Sequence, residues 1–106
     1  MTNKQLTTFG AFIRNLREEA GLPLRKVAHE LDIDQSQLAK IERDERQPNK
    51  EIIKRIAKFF NQDEHQLTIT FLSDMIAYQI KDEEDGLEAL KVAERKVRYI
   101  KNKINP

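Results

Sequence analysis

A chain of 106 residues, 39% hydrophobic and 35% charged with a formal net charge of +1, has room for one compact domain with an appended element and not for two large domains. That balance favours a soluble helical protein over a disordered or membrane-bound chain, and no apolar run approaches a membrane span. With no cysteine, disulfides, thiolate nucleophiles and cysteine metal sites are excluded as well.

Met1 to Leu6 hold one lysine and no apolar stretch of signal-peptide length, so a cytoplasmic location is expected. Phe9, Phe12, Ile13, Leu16 and Ala20 then recur at three- and four-residue spacing. They predict a first helix with Thr7 or Thr8 as its N-cap and Gly21 as its stop. Pro23 suits the start of a second, short helix whose apolar stripe is Leu24, Val27, Ala28 and Leu31. Asp32-Ile33-Asp34 is a tight connection, and Asp34 with Gln37 can form a capping box at the head of a third helix anchored inward by Leu38 and Ile41.

Asp44 to Pro48 break the pattern, and Asn49 caps a fourth helix carrying Ile52, Ile53, Ile56, Ala57 and Phe60. A fifth helix runs from Glu64 to about Lys81, the only strand-like alternation being Thr68-Ile69-Thr70-Phe71. The acidic run Asp82 to Asp85, closed by Gly86, reads as a linker or turn. Beyond it Leu90, Ala93, Val97, Ile100 and Ile104 alternate at three and four residues, a heptad-like seam on a sixth helix that suits a partner helix. The division predicted is residues 1–81 as a five-helix domain, 82–86 as an acidic linker or turn and 87–106 as a C-terminal helix for pairing with another helix.

Two short helices joined by a tight turn, the second polar on its outward face, have the arrangement of a helix-turn-helix. In that arrangement the second helix enters the major groove, so its outward side chains must address base edges. Gln35, Ser36, Gln37, Lys40 and Arg43 are the candidate base readers: glutamine amides match adenine, and lysine or arginine matches guanine. Arg25, Lys26, Arg46, Gln47 and Asn49 are candidates for gripping phosphates. Residues 1–63 carry twelve Lys and Arg against ten Asp and Glu, so any surface for a polyanion must come from spatial sorting of charge. Asp32, Asp34, Asp44 and Glu45 also fall near the proposed DNA face.

Leu22 to Ala28 and Asp34 to Arg43, with Arg46-Gln47-Pro48 following, resemble the Xre family, the Cro and phage-repressor type of helix-turn-helix protein, over roughly residues 8–67. The resemblance implies an all-α fold: a five-helix, lambda-repressor-like DNA-binding domain, here with an additional C-terminal helix. It implies a homodimer on a pseudo-palindromic operator, and an ion pair falling on Arg17 and Glu42. Asp32 stands where the family usually has glycine, and aspartate tolerates the left-handed backbone better than most residues. Leu24 stands where many members place a phosphate-touching glutamine, and Arg25 is the candidate substitute.

The function expected is a sequence-specific transcriptional regulator, a homodimeric repressor or autoregulator that dimerises through Leu90, Val97, Ile100 and Ile104. The alternative is an antitoxin or accessory protein whose C-terminal helices hold a partner protein. No nucleophile and base pattern, glycine-rich phosphate loop, metal-ligand spacing or cofactor motif occurs, so neither enzyme nor metal or cofactor site is expected. His29 and His65 lack a ligand pattern and read as surface residues. The basic residues Lys91, Arg95, Lys96, Arg98, Lys101 and Lys103 read as the solvated outer face of a dimer helix, the alternative being contact with the flanks of the DNA.

Overall fold

The computed structural model describes residues 7–104, without the side chain of Ile104. Its helices are α1 (Phe9–Glu19), α2 (Leu24–Glu30), α3 (Gln35–Glu42), α4 (Lys50–Phe59), α5 (Glu64–Ile80) and α6 (Gly86–Ile104), and no strand occurs among the described residues. The alternating Thr68 to Phe71 run lies inside α5. There the Thr68 and Thr70 hydroxyls donate to the carbonyls of Glu64 and Gln66 at 2.9 and 3.0 Å, satisfied within the helix itself. The chain forms two compact units, Met1–Asp74 and Met75–Pro106.

In the first unit the apolar stripes of five helices converge on one core. Ile13, Val27, Leu31, Leu38, Ile41, Ile53 and Ile56 are fully buried, with Phe9, Ala28, Ile52, Ala57 and Leu67 around them. Helix α3 packs against both α1 and α2. Phe71, on the inward face of α5, meets Phe9 edge to face with ring centroids 5.8 Å apart.

The helix ends follow local chemistry. Asn49 accepts from the Ile52 N–H at 2.8 Å to cap α4, and Asp63 accepts from His65 and Gln66 at 2.8 and 3.3 Å at the head of α5. Pro23 is the N-cap of α2, one place before the first helical residue. Asp34 holds the N-cap of α3 with extended backbone but makes no capping hydrogen bond with its side chain, so the expected capping box with Gln37 is absent. Gly21, Asp32, Asp44 and Asn61 all adopt positive φ, at 68°, 56°, 61° and 53°, turning the chain after α1, α2, α3 and α4.

The second unit holds the end of α5 and α6. Glu83 N–H donates to the Ile80 carbonyl at 3.0 Å and Gly86 N–H to that of Glu83 at 3.1 Å. A Cβ on Gly86 would fall 2.6 Å from the Ile80 carbonyl oxygen. The reversal is therefore tight, and Gly86, expected in the linker, is the first residue of α6.

Candidate nucleic-acid interface

Helix α3 has one buried and one exposed face. Leu38, Ile41 and Glu42 are buried, whereas Gln35, Ser36, Lys40 and Arg43 are exposed. Ser36, Lys40 and Arg43 stand at i, i+4 and i+7 and so share a stripe, with Gln35 at its N-terminal edge. Gln37 is half-buried and lies on the flank of the helix instead of at the centre of that face. Arg43 is the C-cap residue of α3, and its Nε donates to a Glu45 carboxylate oxygen.

Two attachments to α1 hold the C-terminal end of α3. Arg17 donates from Nε to Glu42 Oε2 at 2.7 Å and from Nη2 to Oε1 at 3.0 Å, a two-pronged pair, while its Nη1 donates to the Leu22 carbonyl at 2.9 Å. The side chains retain 12% and 4% of their exposure, so solvent screens this pair little. The hydrogen bonds it donates to Glu42 raise the Arg17 guanidinium above its ordinary pKa, against an opposing effect of burial. A guanidinium fork satisfied at all three nitrogens has one geometry, and it ties α1, the turn before α2 and the end of α3 together.

The second attachment lies at the head of α1. Gly10 N–H donates to Asp44 Oδ1 at 3.0 Å, Phe9 N–H to Asp74 Oδ2 at 2.7 Å and Ala11 N–H to Thr8 Oγ1 at 3.1 Å. Three stretches of chain thus satisfy N–H groups that a helix start leaves without partners. A Cβ on Gly10 would stand 2.3 Å from the Ile41 carbonyl oxygen and 2.7 Å from that of Glu42, so glycine lets the backbones of α1 and α3 approach. Burial, the largest influence, raises the Asp74 pKa; the Phe9 hydrogen bond lowers it and the neighbouring Asp44 raises it.

Neither Asp44, Asp74 nor Gly10 stood out in the sequence as an attachment of α1, since their partners lie 34 and 65 residues away along the chain. Arg55, whose Nη1 donates to the Leu31 carbonyl at the end of α2 at 3.0 Å, was equally silent. Its only local mark is the i,i+4 pairing with Glu51.

The candidate phosphate contacts border α3 on both sides in the chain. Arg25 and Lys26 are exposed in the first turn of α2, and Arg46, Gln47 and Asn49 are exposed between α3 and α4. Asn49 spends its amide oxygen on capping α4, leaving its Nδ2 as donor. Lys26 lies 3.5 Å from Glu30. Arg25, Lys40 and Arg46 have no carboxylate partner among the described residues, so their charge is uncompensated. Among those same residues no metal-binding group of acidic, histidine or cysteine side chains converges, and no helix is long and apolar enough to cross a membrane.

A family model described as Helix-turn-helix matches residues 13–67, which contain the whole α2–turn–α3 unit and both partners of the Arg17–Glu42 pair that ties it to α1. No curated protein matches the chain. Among solved structures, the clp gene regulator ClgR from Corynebacterium glutamicum is similar, with a TM-score of 0.55 at 17% identity over 99% of this chain and 97% of that one. The likeness extends the shared fold through the additional C-terminal helix. The chain belongs to the Xre/Cro-type helix-turn-helix family of DNA-binding transcription regulators, a family of binding proteins and not of enzymes.

Proposed function

We propose that this protein is a sequence-specific regulator that acts as a homodimeric repressor or autoregulator, with α3 reading the major groove. The observation that carries this reading is the outward stripe of α3, where Gln35, Ser36, Lys40 and Arg43 are exposed on a helix whose inner side is fastened by the Arg17–Glu42 pair. Recognition demands side chains that are free and a backbone that is not. Gln37 reads from the flank. Arg43 must release Glu45 to reach a base, so it contributes less than Lys40.

Arg25, Arg46 and Gln47 with the Asn49 amide fix register on phosphates, and Lys26 joins them by exchanging Glu30 for the backbone. Few uncompensated cations border α3, so binding to random DNA is weak, and base contacts provide most of the preference for an operator. Leu90, Val97 and Ile100 on α6, each exposed, form the dimer seam; the Ile104 side chain, assigned to the same seam, lies outside the described residues. A two-fold dimer meets two half-sites about 34 to 36 Å apart on one face of the duplex. The likeness of fold to a protein described as a gene regulator accords with a regulatory role.

Selection of bound sequences from random DNA yields the operator and its half-site spacing. The double variant Gln35→Ala with Lys40→Ala is expected to lose at least about 30-fold in preference for that operator, because each base contact is worth about 1 to 3 kcal/mol. Its salt-sensitive binding to random DNA remains. Equal loss on every sequence would remove the base-reading role.

A further inference from the structure

Helix α6 leaves its apolar seam uncovered. Leu90, Val97 and Ile100 are 40%, 53% and 52% exposed, and Leu90, Ala93 and Val97 line, with Ile76 of α5, a groove of about 1020 Å³. The charges along this helix and the turn before it are sorted by sign. Residues 82–95 hold six carboxylates against two basic side chains, and residues 96–104 hold four basic side chains and no carboxylate. Within the helix only Arg98 is matched, 3.1 Å from Glu94. Lys96, Lys101 and Lys103 have no carboxylate partner among the described residues.

Four of those carboxylates, Asp82 to Asp85, stand in the turn at the head of α6, while Glu88 and Glu94 balance Lys91 and Arg95 within it; an acidic turn before the helix and a basic end complement the macrodipole of a single helix. They also constrain what can lie beside it. A second α6 aligned in the same direction would set acidic end against acidic end and basic against basic, at side-by-side helix distances where like charges repel. Reversed, it sets each acidic end against the basic end of its neighbour, opposes the two macrodipoles, and centres the apolar seams on the stretch between Ala93 and Val97.

We propose that α6 pairs with α6 of a second copy of this chain in antiparallel orientation, about a two-fold axis perpendicular to both helices. This rests on the reading of α6 as the dimer element and adds its direction. Such an interface is isologous and closed, so assembly stops at two chains.

The absence of native cysteine makes a thiol test free of background. Full-length chains carrying Leu87→Cys or Asn102→Cys place thiols at opposite ends of α6, about 22 Å apart along its axis at 1.5 Å per residue. Leu87 is 78% exposed. Each variant is sized by exclusion chromatography and then treated, alone and after mixing and re-equilibration, with a short bis-maleimide. The expected result is dimers throughout, with cross-linking several-fold greater in the mixture than in either variant alone and peptide mapping showing position 87 joined to position 102. Dimers in which 87 joins 87, or 102 joins 102, overturn the orientation and leave the dimer reading standing. Dimers with no cross-link at all remove α6 from the interface, and a monomer at every concentration overturns both the dimer and its direction.

Discussion

Two aspartates share the same backbone conformation and differ in what their side chains do. Asp32 and Asp44 have φ of 56° and 61°, a region that costs a side-chain-bearing residue about 1 kcal/mol or more and costs glycine nothing. The Asp32 side chain makes no hydrogen bond or ion pair among the described residues, whereas Asp44 accepts from Gly10 N–H at 3.0 Å. Asp32→Gly is therefore expected to stabilise the protein by up to about 1 kcal/mol. Asp44→Gly gains the same relief and loses a cap worth about 0.5 to 2 kcal/mol, leaving stability unchanged or lower. Urea midpoints of the two variants check the contrast; equal stabilisation by both would show that the Asp44 carboxylate contributes nothing.

Among the elements, α3 depends on α1 for its placement. Removing one partner from the buried Arg17–Glu42 pair strands the other charge, so Arg17→Met is expected to cost about 3 to 5 kcal/mol. Adding Glu42→Leu removes the stranded carboxylate and is expected to restore most of that stability. The pair serves geometry more than stability, and the measurement that separates the two is operator affinity in the double variant: a well-folded protein with weakened binding. The sequence carries this element-level information unevenly. Helical spacing of Ile13, Leu38 and Ile56 and the Asn49 cap were legible, because each is written in neighbours three or four residues apart, and the left-handed turn at Asp32 came with the family resemblance. The family resemblance supplied Arg17 with Glu42. The Asp44 and Asp74 attachments and the Gly10 approach were not legible, since they join segments that meet only after folding. The capping box at Asp34 and Gln37 was a local pattern whose hydrogen bond the folded chain does not make.

For the molecule as a whole, pH acts through Asp74. Its pKa is raised in the folded state, so the protonated carboxyl favours the folded form. Its contribution to stability is fully present below the unfolded carboxylate pKa and is lost as pH rises through the folded one. Asp74→Asn keeps an oxygen acceptor for Phe9 N–H and removes the charge. Relative to the parent, this variant is expected to gain stability near neutral pH, with the advantage shrinking as pH falls through the carboxylate range. Urea denaturation at a series of pH values measures the difference; an advantage that grows on acidification would reverse the sign. The unit that this carboxylate closes is also the one matched by the helix-turn-helix family.

Phe9, Gly10 and Ala11 each give their amide proton to a different stretch of chain: Asp74 of α5, Asp44 just beyond the C-cap of α3, and Thr8. Ordinary fraying of a terminal helical turn would leave such protons exchanging quickly with solvent. Here the Phe9 and Gly10 amides exchange only when a long-range tie opens, and for Gly10 that tie runs to Asp44, just past the C-terminal end of α3. Deuterium uptake at this one amide therefore gauges how often the exposed stripe of α3 loosens from its support on α1, and a change on adding DNA would report coupling between the two.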